Sequence, residues 1–254
     1  DVVDTIVSSA NISKEDLVIE IGPGLGTLTS YLLEKAGKVI CIELDDRMIK
    51  ILKDRFFMYE NFEIINEDVL KVDLRNLIKN EKASGKIKSV KVVANLPYYI
   101  TTPIIMKLLE ERLDLESITV MIQKEVADRL GANPGDRLSG SITYSVAYYA
   151  VAEKTLIVPK DSFIPEPEVT SEVIKLSIRK EPAIKVKNEE LLFKIIKQAF
   201  SQRRKTAENS ISAGLSIPKS DVKDALEKAG LQATIRAEKM TMEDFATLSE
   251  ILEK

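Results

Sequence analysis

Over its first 125 residues the chain alternates two patterns. Short runs that are apolar on both faces are separated by stretches whose apolar residues recur at helical spacing. Residues 17–21, 39–44, 62–65, 90–94 and 118–122 read as strands. Leu28, Leu32 and Leu33 mark a helix after the first, and Met48, Ile49 and Leu52 a helix after the second. A strand without an alternating polar face must be covered on both sides, which is the condition of a parallel sheet flanked by helices. The pattern predicts a doubly wound, Rossmann-like α/β domain.

The rhythm then changes. Residues 141–150 and 173–178 are β-like runs joined through a proline-containing connection, predicting an antiparallel pair that finishes the sheet. Arg179-Lys180-Glu181-Pro182 reads as a boundary, giving domains 1–180 and 181–254. Beyond it, residues 191–200, 206–213, 220–229 and 241–252 are amphipathic helices, with Ser220 and Thr241 as N-caps. Gly214 and Gly230 suit helix ends. The second domain is predicted to be small and all-α.

Composition enters through its absences. The 254 residues include no His, no Trp and a single Cys. Lack of His removes Ser-His-Asp and Cys-His nucleophile systems and every His-containing zinc site. One Cys allows no disulfide framework or Cys-cluster metal site within the chain, and Cys41, inside an apolar strand, reads as a buried small hydrophobe. No metal is expected. No run reaches the ~18 apolar residues of a membrane span and no signal-peptide pattern opens the chain, so a cytoplasmic location is expected. The chain opens without Met in a mid-helix pattern (Val2, Val3, Ile6 and Val7 on one face), and the natural protein is expected to begin earlier.

Net charge is −3, and it is unevenly distributed. Residues 1–180 carry 24 basic and 28 acidic residues, net −4; residues 181–254 carry 13 and 12, net +1. Within the latter, Lys194, Lys197, Arg203, Arg204 and Lys205 fall in a stretch free of acids, a local basic face that can hold phosphates.

Four strand ends carry candidate chemistry. Glu20-Ile21-Gly22-Pro23-Gly24-Leu25-Gly26-Thr27 leads from the first strand into a helix; glycines allow a sharp turn and close approach, and the helix start offers unpaired N–H groups. The third glycine of a dinucleotide fingerprint would fall on Thr27, which disfavours NAD, and Glu20 adds a charge attractive to a cationic ligand. Glu43, 21 residues after Gly22, can accept from both hydroxyls of an adenosine ribose. Asp68, in Asn66-Glu67-Asp68, can accept from an adenine amine, with Glu67 as competitor. Alone, each acid could be a solvated strand end. In order, and with no phosphate-gripping Lys in the glycine loop, they point to an adenosyl ligand without phosphates, S-adenosylmethionine.

The fourth strand ends in Asn95-Leu96-Pro97-Tyr98-Tyr99-Ile100. An exocyclic adenine amine is a poor nucleophile because its lone pair is delocalised into the ring. An Asn oxygen and a neighbouring backbone carbonyl can accept both its hydrogens and localise that pair. Pro97 removes a competing N–H and restrains Leu96, and Tyr98 offers a flat face for an extruded base.

Asn-Leu-Pro-Tyr after Gly-x-Gly-x-Gly resembles the small-subunit rRNA adenine-N6,N6-dimethyltransferases. The likeness extends over Met121 to Leu130, over Phe163-Ile164-Pro165-Glu166-Pro167-Glu168-Val169-Thr170-Ser171, and over Ala199-Phe200-Ser201-Gln202-Arg203-Arg204-Lys205-Thr206. The family's leading Gly-Gln-x-Phe-Leu segment is not among these residues, and Asn133-Pro134-Gly135-Asp136-Arg137-Leu138-Ser139 keeps Pro-Gly without the following Tyr-Gly. The resemblance implies a class I methyltransferase domain with a mostly parallel seven-stranded sheet. It also implies methyl transfer to N6 of two adjacent adenosines of small-subunit rRNA on an immature small ribosomal subunit, by a monomer. S-Adenosylmethionine would be held by Glu20, Gly22, Gly24, Gly26, Glu43, Leu44, Asp68, Val69 and Asn95. Asn95, Leu96, Pro97 and Tyr98 would hold the target, with Phe163 on the other side of the base. Lys124, Arg129, Lys194, Lys197, Arg203, Arg204 and Lys205 would contact RNA.

Two rival readings remain at this point. One is a sister enzyme that dimethylates large-subunit rRNA and confers macrolide resistance; Leu96 and the Gln-Arg-Arg-Lys run favour the small-subunit reading. The other is a ribosome-assembly factor that binds RNA without catalysis. Intact Gly22, Glu43, Asp68 and Asn95 argue against it. A nicotinamide dehydrogenase lacks a His acid and the glycine spacing.

Overall fold

The computed structural model describes residues 2–162, 167–202 and 204–253. Helix α1 (Val2–Ala10) leads into β1 (Asp16–Ile21), α2 (Thr27–Lys35), β2 (Lys38–Glu43), α3 (Asp46–Phe56), β3 (Phe62–Asn66), α4 (Leu74–Ala83), β4 (Ser89–Asn95), α5 (Thr101–Glu110), β5 (Ser117–Gln123) and α6 (Lys124–Leu130). Then follow α7 (Ser141–Tyr149), β6 (Ala150–Val158), β7 (Ser171–Ile178), α8 (Glu189–Ala199), α9 (Ala207–Leu215), α10 (Lys219–Lys228) and α11 (Met242–Leu252). The five strands expected from apolar runs all form, each within a residue or so of its predicted ends.

They assemble into one seven-stranded sheet of order β3-β2-β1-β4-β5-β7-β6. The first five strands in that order run parallel, and β7 is antiparallel to β5. From β1 the chain winds outward to β2 and β3, then returns to β4 on the other side of β1. That reversal leaves a crevice outside the carboxyl ends of β1 and β4, the usual ligand position in an open α/β sheet. The central strand β1 is buried at every residue, including its two acids, Asp16 and Glu20, which flank the apolar residues Leu17 to Ile19.

One core cluster joins Ile6, Val7 and Ala10 of α1 and Leu28, Leu32 and Leu33 of α2 to Val18, Val39, Cys41, Val93, Met121 and Val173 of five strands. Each such side chain contributes roughly 1.5–3 kcal/mol by leaving water. Cys41 is a buried free thiol, as its setting predicted. At the opposite end of the sheet from the crevice, Lys91 Nζ is buried against Asp16 Oδ2 at 2.8 Å and donates to the Asn11 carbonyl at 2.6 Å. The pair thereby fixes the chain where α1 ends in a left-handed residue, Asn11.

The chain divides into two units. The first holds residues up to Ala127 together with Val151–Ile178; the second holds Asp128–Ala150 and the residues from Arg179 onward. A cut near 180 is therefore one of three crossings, because Asp128–Ala150 clusters with the C-terminal helices.

The second unit corrects three expectations. Residues 141–149 form a helix, not a strand. Gly140 N–H donates to Thr143 Oγ1 at 2.9 Å while Thr143 N–H donates to the Gly140 carbonyl at 2.9 Å, which starts the helix. The helix is buried on nearly every side, which hides the polar face that would have betrayed its period. The neighbour of β7 expected from this run is supplied by β6, which begins where α7 ends. Ser220 lies inside α10, whose first turn follows Pro218. Gly214 lies inside α9, where a Cβ would meet Gln198 Oε1 at 2.1 Å; its smallness serves helix contact rather than termination. Gly230, by contrast, sits at φ +77 just past α10, and Thr241 caps α11 reciprocally with Asp244.

Within this unit Tyr144 is the hub. Its hydroxyl donates to the Met240 carbonyl at 2.5 Å and accepts from Gly135 N–H at 3.2 Å, and its ring packs against Phe200 and Phe245 at 5.3 and 5.0 Å. Glu189 receives the hydroxyls of both Tyr148 and Tyr149.

Candidate active site at the strand ends

The β1–α2 turn is built from left-handed glycines, Gly22, Gly24 and Gly26, at φ +65, +56 and +82. A side chain at Gly24 would project into open space, and one at Gly22 would sit 3.9 Å from Pro97 Cδ. The glycine loop and the Asn95-Leu96-Pro97-Tyr98 turn are thus neighbours across the β1–β4 crevice. Gly26 is different: its missing Cβ makes room for Phe56 and Leu52 of α3. Arg55 of the same helix donates from Nη1 to the Leu25 carbonyl at 2.7 Å, pinning the loop from outside.

Glu20 does not face the crevice as a free charge. Its carboxyl is 1% exposed, accepts from Thr29 Oγ1 at 2.6 Å and lies 3.5 Å from Cys41 Sγ. Burial pushes its pKa up to about 7, against the hydrogen bonds from Thr29 and Cys41, with the Glu43 charge adding to the rise. Burial likewise pushes the Cys41 thiol up, helped by Glu20. The expected attraction of a cationic ligand by Glu20 is therefore replaced by a bracing role between β1 and α2.

The remaining strand ends stay accessible. Glu43 is half-buried; its Oε1 accepts from its own neighbours Leu44 N–H at 2.8 Å and Asp45 N–H at 2.9 Å, and its Oε2 reaches Gly24 N–H at 3.4 Å. That carboxylate is thereby held beside the glycine loop. Leu44 is an apolar side chain left 66% exposed, and Val69 is buried just beyond β3. Asp68 Oδ1 accepts from Leu70 N–H at 2.9 Å. Glu67, its competitor, is exposed and its carboxylate is turned back onto Asp68 N–H at 2.8 Å. The four acids and glycines named from sequence thus occupy the ends of β1, β2 and β3 in order, and Glu20 alone is withdrawn into the core.

Asn95 ends β4 with an exposed side chain, and neither its amide nor the Leu96 carbonyl accepts a hydrogen bond from any described residue. The Leu96 side chain is buried, and its N–H donates to the Met121 carbonyl at 3.2 Å. The Pro97 carbonyl is committed elsewhere, to Thr101 Oγ1 at 2.9 Å and Ile100 N–H at 3.3 Å. The turn so presents two adjacent acceptors, Asn95 Oδ1 and Leu96 O, and withholds the third. Tyr98 is half-buried, its hydroxyl 2.8 Å from Ser171 Oγ. Thr29, Arg55 and Thr101 are not singled out by the sequence, and Ser171 only as the end of a motif, since each acts here through one bond that no motif specifies.

Among the basic residues, Lys194 and Lys197 are exposed on α8, and Arg204 and Lys205 are exposed in the turn to α9. Lys194 pairs with Glu190 at 2.6 Å. Lys124 and Arg129 are half-buried on α6, Lys124 in the first unit and Arg129 in the second. Phe163 and Arg203 lie outside the described residues. Among the described residues there is no cluster of His, Cys, Asp and Glu suited to a metal, and no helix long and apolar enough to cross a membrane.

The residues present fit an adenosyl sulfonium. A glycine turn with open space at Gly24, a carboxylate beside it, an exposed apolar side chain at Leu44 and two acceptors at and just past the end of β4, which accept no hydrogen bond from the described residues, suit such a group.

Comparison with known proteins gives a consistent result. Residues 1–254 match the family model described as ribosomal RNA adenine dimethylase. Ribosomal RNA small subunit methyltransferase A of Lachnoclostridium phytofermentans is 49% identical over 256 residues, covering all of this chain and 87% of that protein. The protein of the same description from Bacillus pumilus is 46% identical over 256 residues, covering all of this chain and 87% of its own length. Among solved structures, a dimethyladenosine transferase from Plasmodium falciparum superposes with a TM-score of 0.74 at 28% identity, covering 97% of this chain and 93% of that one. The 23S rRNA methyltransferase ErmE shares the fold, at a TM-score of 0.70 and 24% identity over 100% of this chain and 97% of its own.

Proposed function

Because the chain belongs to the ribosomal RNA adenine dimethylase family, we propose that its strand-end crevice is where S-adenosylmethionine meets an extruded adenine. The chain is an S-adenosylmethionine-dependent methyltransferase that dimethylates adenine in small-subunit rRNA. The large-subunit alternative gives way to relatives at 46–49% identity that carry the small-subunit description. The non-catalytic alternative has no support in a site whose acceptors are all in place.

When bound, S-adenosylmethionine supplies an electrophilic methyl group on a sulfonium. The chain supplies position. Gly22 and Gly24 give the donor room against the backbone, and Gly26 lets the loop pack on α3; Glu43 would receive the ribose hydroxyls, and Leu44 and Val69 would line the adenine with Asp68 at its edge. Asn95 Oδ1 and the Leu96 carbonyl accept the two N6 hydrogens of the target base, turning its lone pair toward the methyl group. Pro97 contributes no competing N–H, and Tyr98 stacks on the base, worth roughly 1–3 kcal/mol toward its extrusion. Once methylated the amino group is acidic and releases its proton to water, so a chain without His is complete. Holding the reactants in line accounts for ~7–11 kcal/mol of barrier lowering.

Lys194, Lys197, Arg204 and Lys205, joined by Lys124, Arg129 and Arg203, hold the RNA backbone, and the family resemblance assigns Phe163, outside the described residues, to the other side of the base. The substrate particle is the immature small subunit, bound by a monomer in the cytoplasm where subunits mature. The observation that carries this reading is the pair of acceptors at Asn95 and Leu96, beside the glycine loop, that accept no hydrogen bond from any described residue. Mass-spectrometric mapping of small-subunit rRNA treated with the chain and donor tests it: N6-dimethyladenosine at two adjacent positions is expected, and unmodified rRNA despite measurable donor binding would overturn it.

A further inference from the structure

Tyr98 and Ser171 come from opposite sides of β5. Tyr98 follows β4 by three residues, and its turn is fastened to β5 by Leu96 N–H on the Met121 carbonyl at 3.2 Å. Ser171 begins β7, lies in register with Gln123 at the end of β5, and is almost wholly buried. Just before it, the Thr170 carbonyl accepts from Lys124 N–H at 2.9 Å. Two residues on, the Val173 carbonyl accepts from Thr155 Oγ1 at 3.1 Å and its side chain belongs to the core. Ser171 is therefore a fixed point. The hydroxyl bond of 2.8 Å between it and Tyr98 closes a ring that runs through the β4 turn, β5 and β7.

We propose that Ser171 is a positioning residue for the reaction, holding the Tyr98 ring at the angle that receives the target adenine. The inference rests on the reading of Tyr98 as the stacking platform. A Tyr side chain in a turn swings about two torsions, and stacking needs its plane held still. The half-buried phenol requires a partner in any case, and here that partner is set by the sheet rather than by a flexible loop. Tyr99 next door, with no such tie to the sheet among the described residues, is 85% exposed. The tie also joins the turn that bears the amine acceptors to the strand that follows the Phe-x-Pro-x-Pro-x-Val-x-Ser motif.

The test uses Ser171→Ala, Tyr98→Phe, the double variant, Ser171→Thr and Tyr98→Ala, each assayed by single-turnover methylation of small-subunit RNA. Donor affinity by calorimetry and melting temperature are measured alongside. A net hydrogen bond of ordinary strength corresponds to about fivefold in rate. Ser171→Ala and Tyr98→Phe are each expected to lose about fivefold in kcat at nearly constant donor affinity and RNA KM, and the double variant to lose no more than either alone. Ser171→Thr, which keeps the hydroxyl, should recover the rate. A wild-type rate in Ser171→Ala, or losses that multiply to about 25-fold in the double variant, would overturn the proposal. If Ser171→Ala melts early, Tyr98→Phe removes the same bond without a cavity, and a wild-type rate there is equally fatal. Tyr98→Ala separates the two ideas: if it too turns over normally, the platform reading fails; if it is crippled while Ser171→Ala is normal, only the tie fails.

Discussion

The carboxyl of Glu20, at the end of β1, accepts a 2.6 Å hydrogen bond from the hydroxyl of Thr29, in the first turn of α2. The two residues bracket the glycine loop and hold its entry and exit together beneath the crevice. The bond is made in the core, where a charge is costly, and Glu20 is accordingly protonated up to about pH 7 against a reference of 4.5.

This gives the fold a pH dependence of definite sign. Between pH 4.5 and about 7 the folded chain keeps the Glu20 proton and the unfolded chain does not, so the Glu20 contribution to stability is full below 4.5 and is lost as pH rises to about 7. The loss amounts to about 3 kcal/mol over that window. Glu20→Gln keeps the shape without the titration, and urea unfolding of both proteins from pH 4.5 to 8 should show the wild type losing stability relative to the variant. Parallel curves would contradict the assignment.

Gly26 is the loop position least able to accept a side chain. A Cβ would lie 2.6 Å from Phe56 Cε2 and 2.8 Å from Leu52 Cδ2, on a backbone at φ +82. Gly26→Ala is expected to lower stability by roughly 1–3 kcal/mol and to weaken donor binding measured by calorimetry. Adding Phe56→Leu removes the ring contact but neither the Leu52 contact nor the backbone strain, so only part of the loss should return. Gly24→Ala, facing open space but still at φ +56, should cost less stability while still obstructing the donor.

Asn95→Ala removes one of the two acceptors for the amine and leaves the glycine loop and Glu43 in place. Single-turnover methylation should fall by about 10²–10³, the scale of losing one preorganised polar contact to a transition state. Donor affinity should change only several-fold. The role is refuted if turnover survives intact.

Arg204 and Lys205, exposed in the turn between α8 and α9, predict a salt effect. Replacing both by Gln should reduce the slope of log K against log salt by about 1.4 for single-stranded RNA, ~0.7 per phosphate contact. RNA affinity titrated from low to moderate salt reads this directly, and an unaltered slope removes both from the interface. Lys194, already paired with Glu190, should contribute less than either.

Much of this molecule was legible from its sequence because buried parallel strands leave a plain signature. The runs at β1 to β5 are apolar on both faces and end in polar residues, so strand positions and crevice lining follow together. The same logic misreads α7. Buried on nearly all sides and rich in β-branched and aromatic residues, it has neither a polar face nor helical composition, and its cap at Gly140 and its contacts with Glu189, Phe200 and Phe245 come from the fold rather than from its own pattern. Glu20 fails for a related reason. Its place at a strand end resembles that of Glu43, yet the side chain turns toward Thr29 and Cys41, a direction no spacing rule contains. Ser171 was visible only as the last letter of a motif; its bond to Tyr98 spans 73 residues.

The interrupted path of the second unit bears on how the chain is made. Tyr144 leaves the ribosome 96 residues ahead of Met240, whose carbonyl its hydroxyl will meet. At about 5–20 residues per second, that is roughly 5–20 s of synthesis. Glu189 and Phe200 follow Tyr144 by 45 and 56 residues and Phe245 by 101, so the partners of this three-tyrosine helix arrive one after another. A fragment ending at Ile178 carries the helix without any of them, so trimming the C-terminal helices away leaves Tyr144, Tyr148 and Tyr149 without these contacts of the full chain.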